Sequence, residues 1–79
     1  MAAKAFVLVE TTVGRSREVT AALRQLAGIK SVDMVTGPYD VIAIIEARTL
    51  GDIGDIVTGK IHPIVGISRT VTCLAIEGS

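Results

Sequence analysis

Apolar residues fill both sides of the first extended run of the chain. Across residues 5–12 (AFVLVETT), Phe6 and Leu8 point one way in a strand while Val7 and Val9 point the other. Val13-Gly14 breaks this strand. Over residues 15–27 the period changes. Val19, Ala22, Leu23 and Leu26 keep the i, i+3, i+4, i+7 spacing of one helical face, and Arg17, Glu18, Arg24 and Gln25 fall largely on the other side. This predicts an amphipathic helix, with Gly28 where a C-cap glycine would stand.

Residues 29–36 read as a second strand, Gly37-Pro38 as a tight turn, and residues 39–47 as a third strand, so these two strands are expected to form a hairpin. Thr49 is placed to N-cap a second helix, with Asp52 three residues on as in a capping box. Ile53, Ile56, Val57 and Ile61 share one face of it. Gly51, Gly54 and Gly59 each weaken that helix by about 1 kcal/mol relative to alanine. Pro63 ends it, because the residue before a proline avoids the α region. Gly66 introduces a last strand over residues 67–77. The order β-α-β-β-α-β predicts an α+β, ferredoxin-like fold: a four-stranded antiparallel sheet with both helices on one face and right-handed crossovers.

An antiparallel sheet with one wet face should alternate apolar and polar residues. Here Ile42 and Ile44 oppose Val41 and Ile45 in the third strand, and Leu74 and Ile76 oppose Val71, Cys73 and Ala75 in the fourth. Two helices cover one face, so the other is expected to be covered by the same face of a second subunit across a two-fold axis. The size of the chain leads to the same place. Seventy-nine residues make one domain (residues 1–79) of marginal stability. Cys73 has no partner for a disulfide within the chain, and one Cys with one His falls short of a structural metal site. Oligomerisation is the remaining common source of stability.

A formal net charge of zero argues against a nucleic-acid surface, and a 49% hydrophobic content argues against disorder. The longest apolar run, residues 41–45, is too short to cross a membrane. No signal peptide is expected near Lys4, and a lone free cysteine points to the cytoplasm.

Catalysis has few parts to draw on. His62, beside Pro63 at a helix end, reads as a capping or surface residue. Cys73, among apolar strand neighbours, reads as a small buried hydrophobe. None of the serines lies in a nucleophile motif, and residues 14–17 match no phosphate-binding loop, so they read as a plain loop. The RNA-recognition version of this topology needs stacking aromatics on its central strands, and Phe6 and Tyr39 do not supply that platform. A copper-carrying version needs a C-x-x-C pair, which residues 11–16 (TTVGRS) lack. No cofactor or metal is called for. The hairpin turn remains. Gly37 permits close approach of a ligand, Asp40 can accept from an ammonium group, and free N–H groups near Gly37 can receive a carboxylate. The same residues also fit a plain turn in which Asp40 caps its own loop and Tyr39 packs on a neighbour.

Three segments carry a family resemblance. Val35-Thr36-Gly37-Pro38-Tyr39-Asp40 fits a V-x-G-x-x-D turn. Gly66-Ile67-Ser68-Arg69-Thr70-Val71-Thr72 fits G-V-x-R-T-x-T at the start of a last strand. Leu26-Ala27-Gly28-Ile29-Lys30-Ser31-Val32 is a weaker third match. Together they resemble the effector-binding and oligomerisation domain of Lrp/AsnC transcription regulators, also called the RAM domain, over essentially the whole chain. Family regulators carry an N-terminal helix-turn-helix domain, and this sequence starts at the first strand, so it resembles a stand-alone form and DNA binding is not carried over. His62-Pro63-Ile64-Val65-Gly66 departs from the family, which more often places Pro directly before the Gly.

The resemblance implies homodimers formed through the sheet faces, assembly of dimers into rings, and an amino-acid effector bound between dimers at the hairpin turn. By position, Gly37, Tyr39 and Asp40 would line that pocket, with Thr36 and Thr70 as further candidates. The reading is a non-enzymatic ligand-binding and oligomerisation module. Two other readings stay open. One is a ligand-independent assembly partner of full-length Lrp/AsnC regulators. The other is a small enzyme of the dimeric α+β barrel type, disfavoured by the scarcity of His, Tyr and acidic residues for a cavity.

Overall fold

A computed structural model describes residues 2–76. Its order is β1 (Ala3–Thr11), α1 (Ser16–Arg24), β2 (Ile29–Met34), β3 (Val41–Ala47), α2 (Leu50–Ile56) running into a π-helical turn (Val57–Ile61), and β4 (Ile67–Leu74). All neighbours pair antiparallel in the order β2-β3-β1-β4, which is the expected ferredoxin-like α+β arrangement.

Alternation along each strand builds the core on the helix side. Ala5, Val7 and Val9 of β1, Val41, Ala43 and Ile45 of β3, and Val32 of β2 are buried there against Val19 and Leu23 of α1 and Ile53, Val57 and Ile61 of the second helical segment. The π-helical turn explains the last three. Four residues overshoot one turn of an α-helix, so a stripe at i, i+4, i+8 drifts off the sheet. Widening the turn, with the His62 N–H donating to the Val57 carbonyl at 2.9 Å, keeps Val57 and Ile61 facing the core. Thr20, buried on α1, satisfies its hydroxyl on the Ser16 carbonyl at 2.7 Å.

Several boundaries differ from the sequence expectation. Helix α1 stops at Arg24 rather than reaching residue 27, so Gly28 is not its cap. Gly28 has φ +91° and instead opens β2, in a place where a Cβ would lie 2.7 Å from Ile56 Cδ1. Thr49 does cap α2, accepting the Asp52 N–H at 3.0 Å. The hairpin turn is not tight: β2 ends at Met34 and β3 begins at Val41, and the loop between them closes with the Val35 N–H on the Asp40 carbonyl at 2.9 Å. Strand β4 ends at Leu74, short of the expected end: Ala75 and Ile76 are not strand, and residue 77 lies outside the described residues.

The second face of the sheet carries two cross-strand rows, Ile42–Leu8–Val71 and Ile44–Phe6–Cys73. Neither helix covers them. Cys73, expected to be buried, is exposed here because its strand points it away from the helices. Charged or polar groups frame this island: Asp33 and Ser31 along β2, Lys4 and Glu46 at one end, Glu10 and Arg69 at the other. Lys4 lies 5.3 Å from the Phe6 ring centroid, and Lys30 pairs with Glu46 at 3.1 Å.

Candidate functional site

The loop between β2 and β3 lies beside the far end of β1, where sheet pairing runs out. Asp40 is what ends it. Val9 is the last residue of β1 in register with β3, opposite Val41. Two residues on, the Thr11 N–H donates to Asp40 Oδ2 at 2.8 Å, so a side-chain carboxylate stands where a β3 carbonyl would otherwise continue the ladder. The Thr11 hydroxyl donates to the same oxygen at 3.1 Å and lies 2.9 Å from the Ser16 hydroxyl at the start of α1. The Asp40 N–H donates to the Val9 carbonyl at 2.9 Å. Both of these side-chain bonds fall on Oδ2.

Tyr39 reaches further. Its phenol oxygen accepts from an Arg69 Nη at 3.1 Å, and that guanidinium carbon sits 5.9 Å from the ring centroid. Arg69 pairs with Glu10 in register, two residues from the Leu8–Val71 pair, so alternation places it on the uncovered face. The Tyr39–Arg69 contact thus spans from the head of β3 across β1 to the edge strand β4. Gly37 has φ +140° and Thr36 and Gly37 are both exposed, with nothing within 4 Å of a Cβ built at Gly37.

Thr70 lies elsewhere. It neighbours Arg69 in sequence, so its side chain leaves the opposite face, where its hydroxyl is 3.1 Å from His62 Nε2. The structure therefore gathers Tyr39 and Asp40 at one rim and sets Thr70 with His62 on the helix side. The residues that sequence reasoning passed over here are Arg69 and Thr11. Arg69 stands within the last-strand motif, but its nearness to Tyr39 exists only through the strand order. At the start of α1, the Arg15 guanidinium is taken by Glu18 of the same helix at 2.7 Å. Among the described residues, no group of three or more His, Cys, Asp or Glu side chains is placed to hold a metal ion. No helix among them is long and apolar enough to cross a membrane.

The family model for the Lrp/AsnC ligand binding domain matches residues 4–78. The chain belongs to this family. Among curated relatives, an uncharacterised HTH-type transcriptional regulator of Pyrococcus horikoshii, PH1916, is 32% identical over 59 residues, covering 75% of this chain and 39% of the relative. The chain thus spans about two fifths of the length of the curated regulators it matches. Among solved structures, TTHA0845 from Thermus thermophilus superposes with a TM-score of 0.92 at 32% identity, covering 98% of this chain and 96% of that one. The fold also recurs in a Neisseria meningitidis transcriptional regulator, NMB0573, described as a complex with L-Met, at a TM-score of 0.84 and 17% identity over 95% of this chain and 50% of that one. This Lrp/AsnC domain therefore carries the regulatory fold with its loop and last-strand motifs in the places just described.

Proposed function

We propose that this Lrp/AsnC domain binds an amino acid at the loop formed by Thr36, Gly37, Tyr39 and Asp40, and that it pairs with a second copy through its uncovered sheet face. On this reading it is a non-enzymatic regulatory module of the cytoplasm, whose dimers assemble further into a ring. The observation that carries the ligand reading is the match to a ligand-binding domain family across residues 4–78. The loop adds support. Gly37 is open to solvent, and Tyr39 of the same loop holds the Arg69 guanidinium. The L-Met complex of the Neisseria regulator makes an amino acid the first ligand class to test.

The apolar island supports self-association. Six residues in two rows, ringed by charged groups, have the layout of an interface core with a polar rim. In a monomer this surface would remain in water, which small soluble proteins rarely tolerate over more than a few hundred Å².

Calorimetry with the twenty L-amino acids tests the ligand reading. The best variant is Asp40→Asn, which keeps an amide oxygen for the Thr11 N–H but removes the charge an ammonium needs. Saturable binding by the wild type, lost or weakened at least tenfold in Asp40→Asn, is expected. No binding of any amino acid to the wild type rejects the reading. A second reading is a ligand-independent assembly partner of full-length regulators, supported by the similarity of this domain to HTH-type regulators. Co-purification with such a regulator in the absence of any amino acid would select it.

A further inference from the structure

We infer that Arg69 is the group that takes the ligand's carboxylate, held in position by Tyr39; this rests on the amino-acid reading of the 36–40 loop. The starting observation is a salt bridge that does not form. Arg69 stands directly across from Glu10 in the β1–β4 ladder. Opposite charges in that relation normally attract and stabilise a sheet. The ion pairs among the described residues are nevertheless Arg15–Glu18 and Lys30–Glu46. Arg69 turns away from Glu10 and donates to the neutral Tyr39 phenol at 3.1 Å, its guanidinium 5.9 Å from the ring centroid.

A phenol orients a guanidinium without cancelling its charge. One Nη donor is used, and the planar fork keeps the others for a bidentate carboxylate. Arg69 is exposed, so an anion reaches it without displacing a buried partner. Tyr39 belongs to the 36–40 loop, so the side chain that holds the guanidinium is itself part of the candidate ligand loop. A carboxylate is one of the two charged groups that every α-amino acid presents, and a guanidinium fork matches it. Glu10 refines the choice. Glu10, directly across from Arg69, sets a negative charge beside the guanidinium, so a second carboxylate on the ligand is repelled and aspartate and glutamate are disfavoured against neutral and basic amino acids.

The test compares wild type, Arg69→Gln and Arg69→Lys by calorimetry, with thermal melting as a check that each variant folds. The probes are the twenty L-amino acids, leucinamide, which lacks the carboxylate, and 4-methyl-2-oxopentanoate, which lacks the ammonium. The expected result is at least a tenfold loss of amino-acid affinity in Arg69→Gln, partial recovery in Arg69→Lys, and unchanged binding of leucinamide. Unchanged amino-acid affinity in Arg69→Gln overturns the assignment while leaving the amino-acid site standing. So does a variant that folds but loses leucinamide as fully as the amino acids, since the loss would then not concern the carboxylate. If the wild type binds the 2-oxo acid but no amino acid, and Arg69→Gln abolishes that binding, the Arg69 role holds and the amino-acid reading falls. If no carboxylate-bearing probe binds the wild type, both are rejected.

Discussion

Thr11 gives its backbone N–H to the side chain of Asp40 rather than to the main chain of β3, at 2.8 Å. The bond makes Asp40 a structural residue whatever else it does. It closes the last open donor of β1 on that side and fixes where the 36–40 loop leaves the sheet.

Asp40→Ala is therefore expected to weaken the fold as well as any ligand contact. Removing the acceptor leaves a partly buried N–H without a partner, which costs about 1–3 kcal/mol. For a domain of this size each kcal/mol lowers Tm by about 4–8 °C. Asp40→Asn, which retains an acceptor, should melt within a few degrees of wild type. Melting by circular dichroism at one fixed protomer concentration checks both; equal loss in the two variants would mean the charge, not the acceptor, matters.

Ile44→Asp should separate the protomers. Ile44 sits in the middle of the uncovered face, between Ser31 on β2 and Phe6 on β1. A carboxylate there, facing its own copy across a two-fold axis, would be buried without a partner. Sedimentation at micromolar concentration should show the wild type as an oligomer and the variant as a single chain. A wild type that sediments as a monomer rejects self-association, and a variant that stays assembled places the interface elsewhere.

Gly28→Ala and Gly14→Ala separate two costs. Both glycines have positive φ, +91° and +81°, and each substitution costs about 1–2 kcal/mol of backbone energy. A Cβ at Gly14 meets nothing within 4 Å, whereas at Gly28 it comes to 2.7 Å from Ile56 Cδ1. Gly28→Ala should be the more destabilising in urea titrations, and adding Ile56→Val, which removes that methyl, should erase the difference.

Much of the architecture was legible in the chain. The spacing of Val19 and Leu23, and of Ile53 and Val57, marked the faces that are buried, because period depends only on local geometry. The paired apolar faces of β1 and β3 marked the uncovered sheet surface for the same reason. What stayed hidden depends on which strands become neighbours. Tyr39 and Arg69 lie thirty positions apart (69 − 39), and only the placement of β1 between β3 and β4 brings them into contact. Thr70 was grouped with the loop by motif, although its strand turns it toward His62. The π-helical turn was not read either, since the i, i+4, i+8 spacing of Ile53, Val57 and Ile61 drifts slowly enough to pass for one helical face.

The strand order has a kinetic consequence. β1 is synthesised first, yet both of its edges are filled by later segments, with Val9 paired to Val41 on one side and Ala5 to Leu74 on the other. Until those segments arrive, this apolar strand has no ladder to join. Closing such long loops costs entropy before any contact repays it, which slows folding relative to a chain of local contacts. Local order can begin in α1, in the β2–β3 hairpin and in α2, and β4, the same strand that carries Arg69 to the rim, is the last strand of the sheet to be synthesised.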